Sequence, residues 1–222
     1  MSEQEMPMIR IFMHEIKNCL SNIYSLAEIL ETDKTELDTC LPLIKTSIQQ
    51  IKNIECDYDE FRKSGKNTIH TSNVNLVTLL TSIAEEYRVE AEAKKITIKT
   101  DCKNIKLITD ITKLKQVLTN LITNAIKYNI VNGKVLIECK QIGDNINIVV
   151  SDTGIGMSPD EIKMLGTMFY RSKKIDVPGT GLGWTLIKSI VKTMGWEIMI
   201  KSKSKSLHPF EYTTSICILI PI

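Results

Sequence analysis

The chain has 222 residues, with 28 Lys+Arg against 26 Asp+Glu, so its formal net charge is +2 at pH 7. That balance argues against a broad electrostatic footprint for nucleic acid or an anionic membrane. The length allows one large domain, or one ordinary domain with a small helical module, and 43% hydrophobic with 24% charged residues suits a chain that buries a core. No apolar run approaches the roughly 18 residues that cross a bilayer, and the opening MSEQEMPMIR lacks the basic flank and apolar centre of a signal peptide. Six cysteines (Cys19, Cys40, Cys56, Cys102, Cys139 and Cys217) include no C-x-x-C pair. They read as reduced thiols in a cytoplasmic protein, not as a zinc site.

Apolar residues at 9, 13, 16, 20, 23, 27 and 30 step by 4, 3, 4, 3, 4 and 3, a seam of period 3.5. Polar ETDKTE (31–36) interrupts it, and Leu37, Leu41, Ile44, Ile48 and Ile51 resume the rhythm, which continues through Ile54, Tyr58 and Phe61. This predicts two antiparallel helices, with Pro42 near the start of the second, where its missing N–H does least harm. A lone helical hairpin buries too little surface to be comfortable alone, so a homodimeric four-helix bundle is expected.

The segment SGKNTIHTSN (64–73) reads as a linker, dividing a domain at 1–66 from one at 67–222. The second domain is predicted to run as a helix from Leu76 to about Ala93, strands at 96–101 and 105–109, a helix over 110–128, and alternating strands at 134–140 and 145–151. A Gly-rich region, a helix from about 183 to 194 and strands near 196–201 and 213–220 complete it. That order predicts an α+β class, with helices on a mostly antiparallel sheet as an α/β sandwich. KSKSKS at 201–206 reads as a solvated turn.

Three segments carry chemistry. Asp152-Thr-Gly-Ile-Gly156 follows the apolar strand INIVV, and an Asp delivered into a Gly-rich turn offers a carboxylate acceptor beside approachable backbone. An adenine amino group is a suitable donor for it; an ordinary turn has the same spelling. Gly179-Thr180-Gly181-Leu182-Gly183 leads into the helical run WTLIKSIVKTM, where free N–H groups and the macrodipole favour phosphate. A plain loop at a helix start is the alternative, and neither a Walker A loop nor a Rossmann turn fits. On LKQVLTNLITNAIKYN, Asn120, Asn124 and Lys127 share a face opposite Leu118, Leu121, Ile122, Ala125 and Ile126. Two amides and an ammonium on one stripe suit a hard cation and phosphate, or simply water.

Taken in order and at these intervals, LTNLITNAIKYN, SDTGIGM and GTGLGWTLIKSIV resemble the N, G1 and G2 boxes of the GHKL ATPase family, specifically of sensor histidine kinases. His14-Glu-Ile-Lys-Asn-Cys-Leu20 is similar to the H box of their dimerisation and phosphotransfer domain. The resemblance implies ATP and Mg²⁺ as cofactors. Asn124 matches the metal-coordinating residue, with Asn120 on the same surface, Lys127 a phosphate contact, and Tyr128 a residue packed on adenine. Asp152 matches the carboxylate that receives the adenine N6 hydrogen bond, with Gly154 and Gly156 shaping the pocket floor. Gly179, Thr180, Gly181, Leu182 and Gly183 align with the phosphate-facing end of the lid, and Met168-Phe-Tyr-Arg-Ser172 is similar to the F box, from which Arg171 reaches the terminal phosphates.

His14 is then the residue that receives phosphate, exposed on the bundle flank. Glu15 is expected to hydrogen-bond the other ring nitrogen, fix the tautomer and take the proton. Asn18, four residues on, matches the polar residue that positions water in kinases that also dephosphorylate their partner. The implied function is an ATP-dependent protein-histidine kinase that autophosphorylates His14 and passes phosphate to an aspartate on a response-regulator receiver domain. The alternatives are a phosphorelay or scaffold protein of the same fold without kinase activity, and a GHKL kinase acting on serine. Only 13 residues precede His14, so sensing is expected in a separate protein or in a longer parent chain. The sequence departs from the family at Cys19, where the H box has Pro, at Trp196-Glu197, where a Gly pair is usual, and at SLHPFEYTT in the last hairpin. His70 and His208 read as solvated.

Overall fold

Two long helices, α1 (Glu5–Thr32) and α2 (Leu37–Ser64), open the chain in the computed structural model, which describes residues 5–64, 69–167, 181–203 and 213–222. A single 3₁₀ turn, Lys34–Glu36, reverses direction between them, and Asp33 caps it by accepting the amide of Thr35 at 2.8 Å and its hydroxyl at 2.6 Å. Pro42 lies near the start of α2, as the sequence suggests, but past its first turn. It therefore leaves one helical carbonyl without its amide partner.

The inward face of the hairpin is rotated by one residue from the expected seam. Ile9, Ile16, Ile23 and Leu30 are half-buried, but the residues between them that turn inward are Phe12, Cys19 and Leu26, while Met13, Leu20 and Ala27 face outward. On α2 the same shift buries Cys40 and Ser47 and exposes Leu37, Leu41 and Ile48, while Ile54 is buried as the rhythm expects. On α1 both candidate columns are apolar, so spacing alone does not choose; the aromatic pair does. The rings of Phe12 and Tyr58 meet edge to face, 4.8 Å apart and inclined by 77°, a geometry the ring quadrupoles favour.

The chain divides into two compact units, one ending at Lys63 and the other beginning at Ser64. In the second, β1 (Ser72–Asn75) pairs antiparallel with β3 (Lys106–Thr109), so part of the presumed linker is a strand. The helix expected over 76–93 is broken: α3 (Leu76–Glu86) and α4 (Arg88–Ala93) meet at Tyr87, whose φ of −102° and ψ of 6° leave the helical well. No Gly or Pro announces that break; the bend turns Ala91 into the core.

A five-stranded sheet runs in the order β2 (Thr97–Cys102), β4 (Lys134–Ile142), β5 (Asn145–Asp152), β7 (Thr214–Pro221), β6 (Glu197–Ser202). The β2–β4 pair is parallel and the others are antiparallel. Period-2 alternation sends Val135, Ile137, Cys139, Ile146, Ile148, Val150, Ile216, Ile218 and Ile220 to one face, where α3, α5 (Ile111–Lys127) and α7 (Gly183–Met194) cover them. Burying each large side chain contributes about 1.5–3 kcal/mol. This one-sided helix layer on a mixed sheet is the α+β sandwich that the order of elements predicted. Register sets Cys102 opposite Cys139 on β2 and β4, both free thiols.

Two local features end elements where the chain needs them. Gly195, at φ 68°, caps α7 in the left-handed region, and the amide of Trp196 reaches back to the carbonyl of Val191 at 2.9 Å. Trp196 then closes the core. A short helix not foreseen from sequence, α6 (Pro159–Met164), starts with a capping box in which Ser158 and Glu161 satisfy each other's backbone amides.

Candidate functional site

Asp110 sets the start of α5. Its Oδ1 accepts the amides of Thr112 and Lys113 at 3.0 and 3.1 Å, and its Oδ2 accepts the amide of His70 at 3.0 Å. Burial works to raise the pKa of this carboxyl, but the three amides and nearby Lys113 outweigh it and hold the group below the usual carboxylate range. From that cap α5 runs seventeen residues with Leu118, Leu121, Ile122, Ala125 and Ile126 in the core and Asn120, Asn124 and Lys127 half-buried on its other side. The polar stripe read from spacing is therefore real. The Asn120 amide donates to the carbonyl of Gln116 at 3.0 Å, leaving its oxygen directed outward from that bond. Lys127 Nζ lies 5.2 Å from the centroid of the Tyr128 ring, within cation–π range.

The loop after β5 folds onto the end of this helix. Ile155 donates its amide to the carbonyl of Tyr128 at 3.1 Å, and the Thr153 hydroxyl donates to Asn129 Oδ1 at 3.1 Å while accepting the amide of Lys134 at 2.8 Å. Asp152 is buried at the strand end, its Oδ1 accepting the amide of Gly154 at 2.8 Å. Thr213, on the chain entering β7, donates its amide to the carbonyl of Asp152 and its hydroxyl to that of Gly154, each at 2.8 Å. Burial pushes the Asp152 carboxyl up to about 7, against the smaller opposing pull of the Gly154 amide and the Thr213 hydroxyl. That hydroxyl points at a carbonyl, so its help to the carboxylate is slight. A buried carboxylate so poorly solvated is an acceptor waiting for a donor.

Gly154 and Gly156 are enclosed by backbone, the carbonyl of Tyr128 standing where a Cβ of Gly154 would go. Gly156 has φ 64°, and a Cβ there would strike the backbone of Lys203. Gly183, the first residue of α7, comes so close to α5 that a Cβ would lie 2.6 Å from Asn120 Oδ1. The N-terminus of α7 therefore abuts the polar stripe of α5. Its N-cap, Leu182, makes no side-chain cap, and Asn120 of the α5 stripe lies beside this first turn.

In the helical unit, the His14 side chain is 69% exposed. Asn18 Nδ2 lies 3.2 Å from His14 Nδ1, and Glu15 Oε1 lies 3.8 Å from that same nitrogen. Glu15 is thus outside hydrogen-bond reach, and Asn18 occupies the place expected for it.

Residues 109–222 match the family described as histidine kinase-, DNA gyrase B- and HSP90-like ATPase. The chain belongs to this family. Among curated proteins it is 28% identical over 224 residues to the aerobic respiration control sensor protein ArcB of Escherichia coli (strain K12), covering 96% of this chain and 29% of that protein. It is 29% identical over 196 residues to the sensor histidine kinase ZraS of Salmonella typhimurium (strain LT2), covering 85% and 41%. The chain spans less than half the length of these relatives. Among solved structures, histidine kinase ThkA in complex with response regulator protein TrrA superposes with a TM-score of 0.74 over 97% of this chain and 61% of that one at 20% identity. The histidine kinase AdeS of Acinetobacter baumannii superposes with a TM-score of 0.72 over 94% and 97% at 16% identity. These likenesses establish the fold as that of histidine kinases, helices followed by a GHKL-type ATPase domain.

Within this ATPase-family domain, Asn120, Asn124, Lys127, Tyr128, Asp152, Gly154, Gly156, Gly181, Leu182 and Gly183 all belong to the same compact unit. Arg171, Gly179, Thr180, the rest of the F-box stretch, and His208 with most of the loop between β6 and β7 lie outside the described residues. Three contributors were missed in the sequence. Asp110 was legible as a capping residue before a helical run. Thr213 carries no local signal, since it meets Gly154 from 59 residues away. Lys188 of α7, whose Nζ donates to the carbonyl of Leu165 at 2.6 Å beyond α6, is likewise a long-range contact.

Proposed function

We propose that the chain is an ATP-dependent protein-histidine kinase of a two-component system, acting in the cytoplasm as a homodimer. In this reading the helical hairpin is the dimerisation and phosphoacceptor domain and the α/β unit binds the nucleotide. Asp152 accepts the adenine N6 hydrogen bond, Tyr128 packs on the base, and Gly154 and Gly156 keep the pocket floor low. Lys127, Arg171 and the G2 stretch Gly179–Gly183 face the phosphates. The Asn124 side chain has no hydrogen-bond partner among the described residues, and with Asn120 one turn away it offers the hard amide oxygen that Mg²⁺ takes. Bound there, Mg²⁺ would neutralise charge on the terminal phosphates. The residues of this chain supply the rest: Asp152 orients the base, α5 and α7 hold the phosphate end, and His14 presents an imidazole in solvent as nucleophile.

The observation that carries this reading is the presence in one fold unit of the α5 amide stripe, the buried and under-solvated Asp152, and the start of α7 packed close to Asn120. From His14 the phosphate would pass to the aspartate of a response-regulator receiver domain. Asn18, one helical turn along, would position the water that hydrolyses the regulator's phosphoaspartate.

Incubation of the full chain with γ-labelled ATP tests the proposal. Label that is lost in acid, survives alkali and disappears in His14→Ala supports it. Acid-stable label indifferent to His14 points instead to a serine kinase, and absence of nucleotide binding points to a scaffold.

A further inference from the structure

We propose that Cys102 and Cys139 form a site of reversible oxidative modification, closing to a disulfide between β2 and β4 when the protein meets the disulfide of a low-molecular-weight thiol. The inference rests on the sheet alone and is independent of the kinase reading.

The two residues stand directly opposite each other, as the last pair of the parallel β2–β4 register. Adjacent strands run about 4.8 Å apart, inside the ~4.4–6.8 Å between Cα atoms that a disulfide spans. Both side chains lie on the helix-covered face, where Cys139 belongs to the core and Cys102 packs against it. The two thiols hydrogen-bond each other, and that of Cys102 donates onward to the carbonyl of Lys103 at 3.2 Å. Cys217, by contrast, stands opposite Val149 and Met199, and Cys19 bonds to Gln50.

Position gives the two sulfurs different parts. Strand β2 is an edge of the sheet, and Cys102 at its end is only half-buried, so an oxidant from solvent meets that thiol first. Cys139 is 1% exposed, and the one sulfur it needs to reach is the one beside it. The Cys102 thiolate attacks one sulfur of the small disulfide, whose S–S bond breaks, and one small thiol leaves with the proton that Cys102 gave up. Cys139 then attacks the Cys102 sulfur of the mixed disulfide, and the second small thiol departs with the Cys139 proton. Two protein thiols are oxidised and one small disulfide is reduced to two thiols. Burial holds both protein thiols above the usual thiol range, which keeps thiolate scarce and the first step slow. The second step joins groups already held in register and is fast. The pair therefore stays reduced among abundant thiols and closes under sustained oxidation, as transient disulfides in such compartments do.

The bond would restrain more than two strands. Just beyond Cys102, the carbonyl of Ile105 accepts the amide of Leu76 at 3.0 Å, and Asn104 Oδ1 accepts Asn75 Nδ2 at 3.1 Å. The start of α3 thus hangs on the segment that the disulfide would anchor.

Treatment of the full chain with excess glutathione disulfide, followed by intact-mass measurement and peptide mapping, tests the proposal. The folded protein is expected to lose two hydrogens and to yield peptides joined through Cys102 and Cys139. Its thermal midpoint is expected to rise by about 5–10 °C, the scale of one added disulfide, and to return with dithiothreitol. Cys102→Ser, a small change at the half-buried position, is expected to show neither link nor shift. Cys139→Ala, which keeps the outer thiol, is expected to stop at a glutathione adduct on Cys102. A wild-type adduct on Cys102 that persists without closure overturns the proposal. So does oxidation of other cysteines with this pair left reduced, or a link that forms only after unfolding in urea.

Discussion

The hairpin leaves Met13, Leu20 and Tyr24 61%, 53% and 66% exposed on α1, whereas the α/β unit keeps Leu114, Ile122 and Ile148 wholly out of water. The difference is geometric. Two helices can cover only one stripe on each other, and these two helices carry more apolar columns than that. A sheet with three helices on one face closes a core by itself. The leftover stripe at 13, 20 and 24 is what a second copy would cover in the proposed dimer. Breaking that contact is the largest expected effect: Leu20→Glu with Tyr24→Glu should convert dimer to monomer in sedimentation while nucleotide affinity, a property of the self-sufficient unit, stays unchanged. A monomeric wild type, or a dimer that survives both charges, would show that the two units do not differ in this way.

The self-sufficient unit nevertheless holds one deliberate weakness, at Asp152. With its pKa raised from 3.8 to about 7, the native state keeps a proton there that the unfolded chain has already lost. Stability therefore falls as pH rises through that window, by up to about 4 kcal/mol at about 1.4 kcal/mol per unit. Asp152→Asn should abolish the decline and leave the nucleotide-free protein more stable than wild type at pH 8, as read by urea denaturation. Affinity should run the other way. An adenine N6–H donor selects the ionised carboxylate, so ADP binding should strengthen with pH up to about 7, by at most about tenfold per unit for one proton. Calorimetry in buffers of different ionisation enthalpy should register the released proton, and Asp152→Asn should lose both the affinity and the proton.

A core change sharpens the contrast from the other side. Ile122 is fully buried on α5 directly behind the polar stripe, and Ile122→Ala should cost about 2–5 kcal/mol. A comparable truncation on the exposed hairpin stripe, such as Met13→Ala, should cost the unpaired hairpin almost nothing in intrinsic stability. Chemical denaturation of each variant gives the comparison.

How much of this was readable in the sequence follows the same division. The stripe of Asn120, Asn124 and Lys127 and the buried set behind it were legible because one helix sets both by period 3.6. Strands β4, β5 and β7 were legible because alternation decides which face is wet. The hairpin seam was misread by one residue because Phe12 and Met13, or Cys19 and Leu20, satisfy the same spacing, and only the Phe12–Tyr58 contact separates them. Strand β1 hid in turn-prone residues because its partner, β3, lies more than thirty residues on. The break at Tyr87 and the role of Thr213 depend on tertiary contacts that no local pattern encodes. Trp196, read as a departure from a Gly pair, is buried in the core just after the left-handed turn at Gly195.

The smallest effect tests whether α5 is positioned by its own cap or by the sheet beneath it. Asp110 binds the amides of Thr112 and Lys113 through one oxygen and the amide of His70 through the other. Asp110→Ala removes all three bonds and should cost about 1 kcal/mol, within the ~0.5–2 kcal/mol of a lost helix cap. Asp110→Asn keeps an oxygen for the helix but turns an amide donor toward the donor of His70, so its cost should be smaller and should fall on the chain entering β1. Because the folded-state pKa of Asp110 is lowered, the wild-type advantage is present above the ordinary carboxylate range and vanishes as pH falls through the folded value. The two variants should therefore converge with wild type in acid. Equal losses for Ala and Asn at neutral pH would mean that the His70 tether, and not the cap, carries the residue's contribution.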